Sequence, residues 1–309
     1  MELKFADRMD LFKEGIFTTL ANIKKERIKE NKPVFDLSVG TPDFLPEPHV
    51  VNALVEAAKI PENFKYAITD TDEMLEAVQN WYKRRYDVEL EKDEIMSLYG
   101  SQEGISRVAL TIANPGDTVL VPNPGYPVFE LGPLLNDAHI EYYELREENN
   151  YLIDFDSIPE EVAKKAKAII VSYPANPICR LAPVSFYKEL IAWANKYNVI
   201  VLHDNAYSEL VYDGKRGISF LSVEGAKEIG IEFNSLSKTY NLTGARISFA
   251  VGNKEIISQF KKLRSQIDYG IFLPVQKAAV AALNGPQDSV ERNRAEYERR
   301  RNTLRDGLD

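Results

Sequence analysis

The feature that most limits what this chain can fold into is an alternation of short apolar runs with helix-length amphipathic segments, sustained from about residue 95 to residue 251. Seven runs read as strands, at residues 95–99, 118–121, 140–145, 168–172, 199–203, 231–234 and 247–251. Most are apolar or β-branched throughout, and such strands need cover on both faces, which the intervening helices supply. The pattern predicts an α/β fold: a mainly parallel seven-stranded sheet in a three-layer α/β/α arrangement. Open sheets of this kind bind ligands beyond the carboxyl ends of their strands. The residues just past each run are therefore the place to look for chemistry.

The last two runs bracket Asn234-Ser235-Leu236-Ser237-Lys238-Thr239-Tyr240-Asn241-Leu242-Thr243-Gly244-Ala245-Arg246. An amine at Lys238, hydroxyls at Ser235 and Ser237 and a guanidinium at Arg246 are what a phosphorylated aldehyde requires. The amine condenses with the carbonyl, while short donors and one bidentate cation hold the phosphate. Alone, these residue types also suit a solvated loop, so the other strand ends decide. After the first run, Gly100-Ser101-Gln102-Glu103-Gly104 ends a strand and opens a helix, where backbone N–H groups and the positive helix end suit phosphate. It lacks the endings of a Walker loop and the spacing of a dinucleotide fingerprint. After the second, Pro122-Asn123-Pro124-Gly125-Tyr126-Pro127 sets the Tyr126 ring on a rigid turn, facing a ligand or packed inward. After the fourth, Asn176 lies between Pro174 and Pro177 with an amide able to bond a ligand. After the fifth comes Asp204, with Tyr207 three residues on. A carboxylate closing an apolar strand is costly to bury alone, so Asp204 either meets a ligand cation or backbone donor, or caps a following helix.

Composition narrows the function by exclusion. The 309 residues are 44% hydrophobic, enough for a large core, and the formal net charge of -9 repels nucleic-acid phosphates. The one basic cluster, Arg299-Arg300-Arg301, sits beside Glu296 and Glu298. The single cysteine, Cys179, makes no internal disulfide, and His49, His139 and His203 lack metal-ligand spacing. No run approaches the ~20 apolar residues of a membrane span. The expectation is a cytoplasmic protein with no nucleic-acid, membrane or metal partner.

Outside the alternation, residues 1–30 read as a helical arm and 34–44 as a short strand ending in a Gly-Thr-Pro turn. Helices are expected at 48–60, from about Asp72, at 186–197, at 254–265 and at 273–284, with Tyr66 on the loop before the second of these. A long polar helix begins beyond Pro286 and carries Val290, Tyr297, Leu304 and Leu308 as a seven-residue stripe, with Gly307 a candidate stop.

Taken in order, Gly100-Ser101-Gln102-Glu103-Gly104, Asn176-Pro177, Asp204 with Tyr207, and Ser235-x-Ser237-Lys238 with Arg246 resemble the fold type I pyridoxal-phosphate aminotransferases of classes I and II. Closer still, Asn123-Pro124-Gly125-Tyr126-Pro127-Val128-Phe129, residues 235–244 and Leu283-Asn284-Gly285-Pro286-Gln287-Asp288 are similar to the LL-diaminopimelate aminotransferase branch. The resemblance runs from about residue 30 to the end. It implies a homodimer with shared active sites, acting on an amino acid and a 2-oxo acid with pyridoxal 5′-phosphate as cofactor. Lys238 is then the amine that joins the cofactor aldehyde and shuttles the proton, and Asp204 pairs with the pyridine nitrogen. Tyr207 and Asn176 bond the ring's phenolic oxygen, and Tyr126 stacks on the ring. Ser101, Gln102, Ser235, Ser237 and Arg246 bind the phosphate, Tyr66 reaches the phosphate of the neighbouring subunit, and Gly40 and Asn176 lie near the substrate.

The domain organisation implied is an N-terminal arm with part of a small domain at 1–45, a large cofactor-binding domain at 46–285, and a connecting helix into the small domain at 286–309. Family members continue beyond this length, supplying an arginine for the substrate α-carboxylate that has no counterpart here, so an incomplete small domain is expected. Departures from the family pattern are Ile178-Cys179 after Asn-Pro, Ala245 before Arg246, Thr69-Asp70-Thr71-Asp72 in a turn that usually contains glycine, and Tyr269 in place of a small residue. They bear on specificity. Two rival functions share the fold or the cofactor: a carbon–sulfur β-lyase, and a non-catalytic cofactor-binding module.

Overall fold

The alternating runs pair into one seven-stranded sheet, as the composition of the strands requires. The computed structural model describes residues 1, 3–12, 15–37 and 40–308, which divide into two units, Met1–Asp43 and Phe44–Asp309. The first unit holds a 3-10 turn at Asp7–Leu11 and helix α1, Ile16–Lys29, neither with a buried residue. The strand expected at 34–44 does not form among its described residues. A strand needs an edge to pair with, and the other regular structure of that unit is helical.

The second unit contains α2 (Pro48–Ala58), α3 (Asp72–Tyr86), β1 (Ile95–Leu98), α4 (Ser101–Ile112), β2 (Thr118–Asn123), α5 (Val128–Leu135), β3 (His139–Glu144), α6 (Glu160–Lys165) and β4 (Ala166–Ser172). It continues with α7 (Val184–Tyr197), β5 (Ile200–Asp204), α8 (Ala226–Ile229), β6 (Gly230–Ser235), α9 (Leu236–Thr239), β7 (Ser248–Gly252), α10 (Lys254–Ile267), α11 (Leu273–Asn284) and α12 (Asp288–Leu308). Local chemistry sets several boundaries. Thr71 Oγ1 accepts from the backbone of Met74 to start α3, which ends at Asp87 in the left-handed region with φ 56°. Helix α12 runs through Gly307, the candidate stop, to Leu308. On its stripe Val290 is buried and the Tyr297 ring meets Phe44 at 5.1 Å, while Leu304 and Leu308 are exposed.

Strand order is β1-β7-β6-β5-β4-β2-β3. All neighbours are parallel except β7, which is antiparallel to both β1 and β6. Two reversals restore direction, so β1 runs with β6. The carboxyl ends of β1, β2, β4, β5 and β6 and the amino end of β7 therefore share one edge of the sheet.

Side chains alternate across the strands into two cores. Ile169, Val171, Val201, Phe249 and Val251 join one cluster with Trp81 of α3, Leu190 of α7 and Leu283 of α11. Ala168, Ile170, Leu202, Phe233 and Ala250 join the other with Val108 of α4, Phe129 of α5 and Phe260 of α10. Helices thus cover both faces, giving the three layers expected of buried parallel strands.

Candidate active site

Strand β5 delivers Asp204 to the shared edge, in register with Ser172 of β4 and Phe233 of β6. Asp204 is 6% exposed, and among the described residues its Oδ1 has no hydrogen-bond partner. Burial pushes its pKa up to about 6, against the opposing pull of His203 and a backbone hydrogen bond from Ala206. Residues 206–209 form a turn and not a helix, so Asp204 caps nothing. That turn places Tyr207 beside Asn176, whose side chain hydrogen-bonds it. Burial, with Asp204 and Tyr126 adding to it, pushes the Tyr207 phenol up to about 12.

Strand β6 leads into α9, where Ser235 Oγ accepts from the backbone N–H of Ser237 at 3.2 Å and so caps the turn that carries Lys238. Both serines are buried. Lys238 Nζ lies 6.0 Å from the centroid of the Tyr207 ring. Burial, and then the positive charge of Arg246, lower its pKa, which favours the neutral, nucleophilic amine.

Arg246 stands just before β7, and only the antiparallel course of that strand brings its amino end to this edge. Its backbone is left-handed, φ 52°, a conformation that non-glycine residues adopt rarely and that recurs at ligand sites. Nη1 donates to the carbonyl of Thr243 at 3.0 Å and Nη2 to that of Tyr99 at 3.4 Å. Gly100, φ 91°, faces the guanidinium so closely that a Cβ would run into it. Glycine is needed there both for the backbone angle and for the approach. Ser101 opens α4, and Gln102 Oε1 accepts from the Tyr126 hydroxyl at 3.4 Å.

Five strand ends and the start of a sixth strand thus bring Ser101, Gln102, Tyr126, Asn176, Asp204, Tyr207, Ser235, Ser237, Lys238 and Arg246 to one edge. Tyr66 is 80% exposed, its ring 5.2 Å from that of Tyr269. Among the described residues no hydrogen bond or ring contact joins it to this group. Gly40 belongs to the N-terminal unit and is exposed there. The sequence did not mark the carbonyls of Tyr99 and Thr243 that orient Arg246. Backbone acceptors are common to every residue, so only the fold singles them out.

The profile of the family Aminotransferase class I and II matches residues 32–309. The chain belongs to that family. It is 44% identical over 308 residues to the LL-diaminopimelate aminotransferase of Aquifex aeolicus, an alignment covering 99% of this chain and 80% of that protein. The enzyme of the same name from Dehalococcoides mccartyi is 41% identical over 308 residues, covering 99% and 79%. Among solved structures, substrate-bound BacF from Bacillus subtilis superposes with a TM-score of 0.92 at 34% identity, covering 97% of this chain and 76% of that one. An aminotransferase from Staphylococcus aureus gives 0.90 at 32%, covering 98% and 78%.

This aminotransferase is an enzyme of fold type I that depends on pyridoxal 5′-phosphate and works on amino acids and 2-oxo acids. The residues at the sheet edge fit that cofactor. An orphaned, buried carboxylate oxygen lacks a hydrogen-bond donor, and a protonated pyridine nitrogen would supply one together with a compensating charge. An amine with a lowered pKa suits an aldehyde, and a helix start beside a guanidinium suits a phosphate. No helix among the described residues is long and apolar enough to cross a membrane, and no group of His, Cys, Asp or Glu among them has the arrangement of a metal site.

Proposed function

We propose that the enzyme transfers an amino group from LL-diaminopimelate, or a similar dicarboxylic amino acid, to a 2-oxo acid such as 2-oxoglutarate. The substrate assignment is supported by relatives that carry that name at 38–44% identity. The site assignment rests on one observation: Asp204 Oδ1 is buried without a partner in the same cluster as an amine, Lys238, whose pKa is depressed. When bound, pyridoxal phosphate supplies an aldehyde for reaction with amines and a cationic ring that takes up electron density from the substrate α-carbon. Asp204 holds the proton on the ring nitrogen. Lys238 Nζ, its pKa lowered by burial and by Arg246, accepts a proton from the substrate α-carbon and later returns one. Tyr207 and Asn176 orient the ring's phenolic oxygen, and Tyr126 covers the ring face. Ser101, Gln102, Ser235, Ser237 and Arg246 bind the phosphate, and Asn176 borders the substrate.

The active form in this reading is a cytoplasmic homodimer in which Tyr66 reaches the neighbouring subunit's phosphate. Phe64, Tyr66, Ile68, Tyr269 and Phe272 form an exposed, largely aromatic patch with ring pairs Phe64–Phe272 at 5.3 Å and Tyr66–Tyr269 at 5.2 Å. A surface of that character suits an interface. Residues 46–285 serve as the cofactor-binding domain.

The test is glutamate formation from LL-diaminopimelate and 2-oxoglutarate, with Lys238→Ala beside the natural chain. The expected result is turnover in the natural chain and none above background in the variant. Unchanged turnover in Lys238→Ala sinks the site assignment. Pyruvate released from cystathionine with no 2-oxo acid present marks a lyase instead.

A further inference from the structure

Arg264, on the last turn of α10, is 7% exposed, too deep for a solvating surface cation. Its guanidinium joins two segments. Nη1 donates to the carbonyl of Ser97 in β1. On the other side Nε donates to the carbonyl of Tyr269 at 2.9 Å and lies 3.4 Å from Asp268 Oδ1. Between them, Cζ sits 5.3 Å from the centroid of the Tyr99 ring, whose hydroxyl donates to the carbonyl of Gly270 at 3.0 Å. Tyr99 is also the residue whose carbonyl accepts from Arg246, and the next residue is the Gly100 that faces that guanidinium. A planar, always charged fork can serve two carbonyls, a carboxylate and a ring face together, and a lysine cannot.

We infer that Arg264 is a positioning residue for the cofactor phosphate. By holding residues 97–100 at both the Ser97 carbonyl and the Tyr99 ring, it fixes the carbonyl that aims Arg246 and the turn from which α4 starts. It acts through those groups and is not itself a phosphate ligand. The inference rests on the reading of Ser101, Gln102 and Arg246 as phosphate ligands.

The test separates the phosphate from the rest of the cofactor. Cofactor-free protein is titrated with pyridoxal 5′-phosphate and, separately, with pyridoxal, which lacks the phosphate, and both dissociation constants are read from protein fluorescence. In Arg264→Met the constant for pyridoxal phosphate should rise about tenfold and that for pyridoxal by less than about twofold, the scale of one misaligned charge-assisted hydrogen bond. Arg264→Lys retains the charge but not the fork; it should show the same selectivity, and it answers the question if the methionine variant fails to fold. Equal weakening of both ligands, or of neither, overturns the role of Arg264. Arg246→Ala supplies the reference. A phosphate-selective loss there upholds the phosphate site independently of Arg264, whereas equal loss of both ligands removes that site and the inference with it.

Discussion

Glu232 and Asp204 occupy neighbouring strands, β6 and β5, and both are buried, yet their surroundings are opposite. Around Glu232 every lone pair that matters is answered. Tyr82 and Ser219 donate to Oε1 at 2.8 and 2.9 Å, and the backbone N–H of Phe220 donates to Oε2 at 2.8 Å. His203 Nδ1 lies 2.9 Å from the same Oε2, so it carries its hydrogen toward the carboxylate, and His203 Nε2 faces the Tyr187 hydroxyl at 3.1 Å. Asp204, the very next residue after His203, has a backbone bond from Ala206 and an Oδ1 that, among the described residues, has nothing to accept from. A satisfied buried carboxylate fastens two strands together. An unsatisfied one costs stability unless a ligand supplies the missing donor.

The comparison can be broken experimentally. The largest effect is expected from Glu232→Ala, which strips the partner from four buried donors. It should destabilise the fold by about 3–5 kcal/mol, seen as a fall in the urea midpoint, and an unchanged midpoint means that the network carries no weight. Asp204→Asn should move stability the other way in cofactor-free protein. A carboxyl whose pKa is raised by folding, here to about 6 from an ordinary 3.8, adds stability at low pH and loses it as pH climbs through about 6. The asparagine, having no charge to bury, should therefore gain on the order of 2–3 kcal/mol over the natural chain at pH 8. The two should converge near pH 4, while cofactor affinity and turnover fall in the variant. Lower stability of Asp204→Asn at pH 8 would contradict the orphaned state of that carboxylate. The smallest effect sharpens the picture: Tyr187→Phe removes one outer bond to His203 and should cost about 1 kcal/mol in thermal unfolding. A loss as large as that of Glu232→Ala would show that His203 cannot hold its place without Tyr187.

Much of this architecture is legible in the chain. Most of the seven strands announce themselves as short apolar or β-branched runs, as strands covered on both faces tend to be, and the observed boundaries differ from the expected ones by at most two residues; β3, His139–Glu144, is largely exposed, and β5 and β6 carry buried polar groups within their runs. Gly100, Lys238 and Arg246 are visible because glycine before a helix and an amine among hydroxyls are unusual combinations. The strand at 34–44 misled, since a strand-like composition produces no strand without an edge beside it. The reversal of β7 was equally hidden: its residues suit either direction, and the connection from α9 decides. Yet that reversal is what carries Arg246 to the site.

The sequence by itself determined which reactive groups the chain owns and at which strand ends they stand, because propensity, apolar patterning and turn chemistry act over a few neighbouring residues. Only the tertiary structure decided which of them are satisfied and which are left waiting. Tyr82, Ser219 and His203 come to Glu232 across 150, 13 and 29 residues of chain, and no local rule records that they arrive there and that, among the described residues, no donor arrives at Asp204 Oδ1. Hydrogen-bond satisfaction in an interior is a property of the packed whole, and among the described residues it separates the satisfied carboxylate of Glu232 from Asp204, whose Oδ1 is left without a donor.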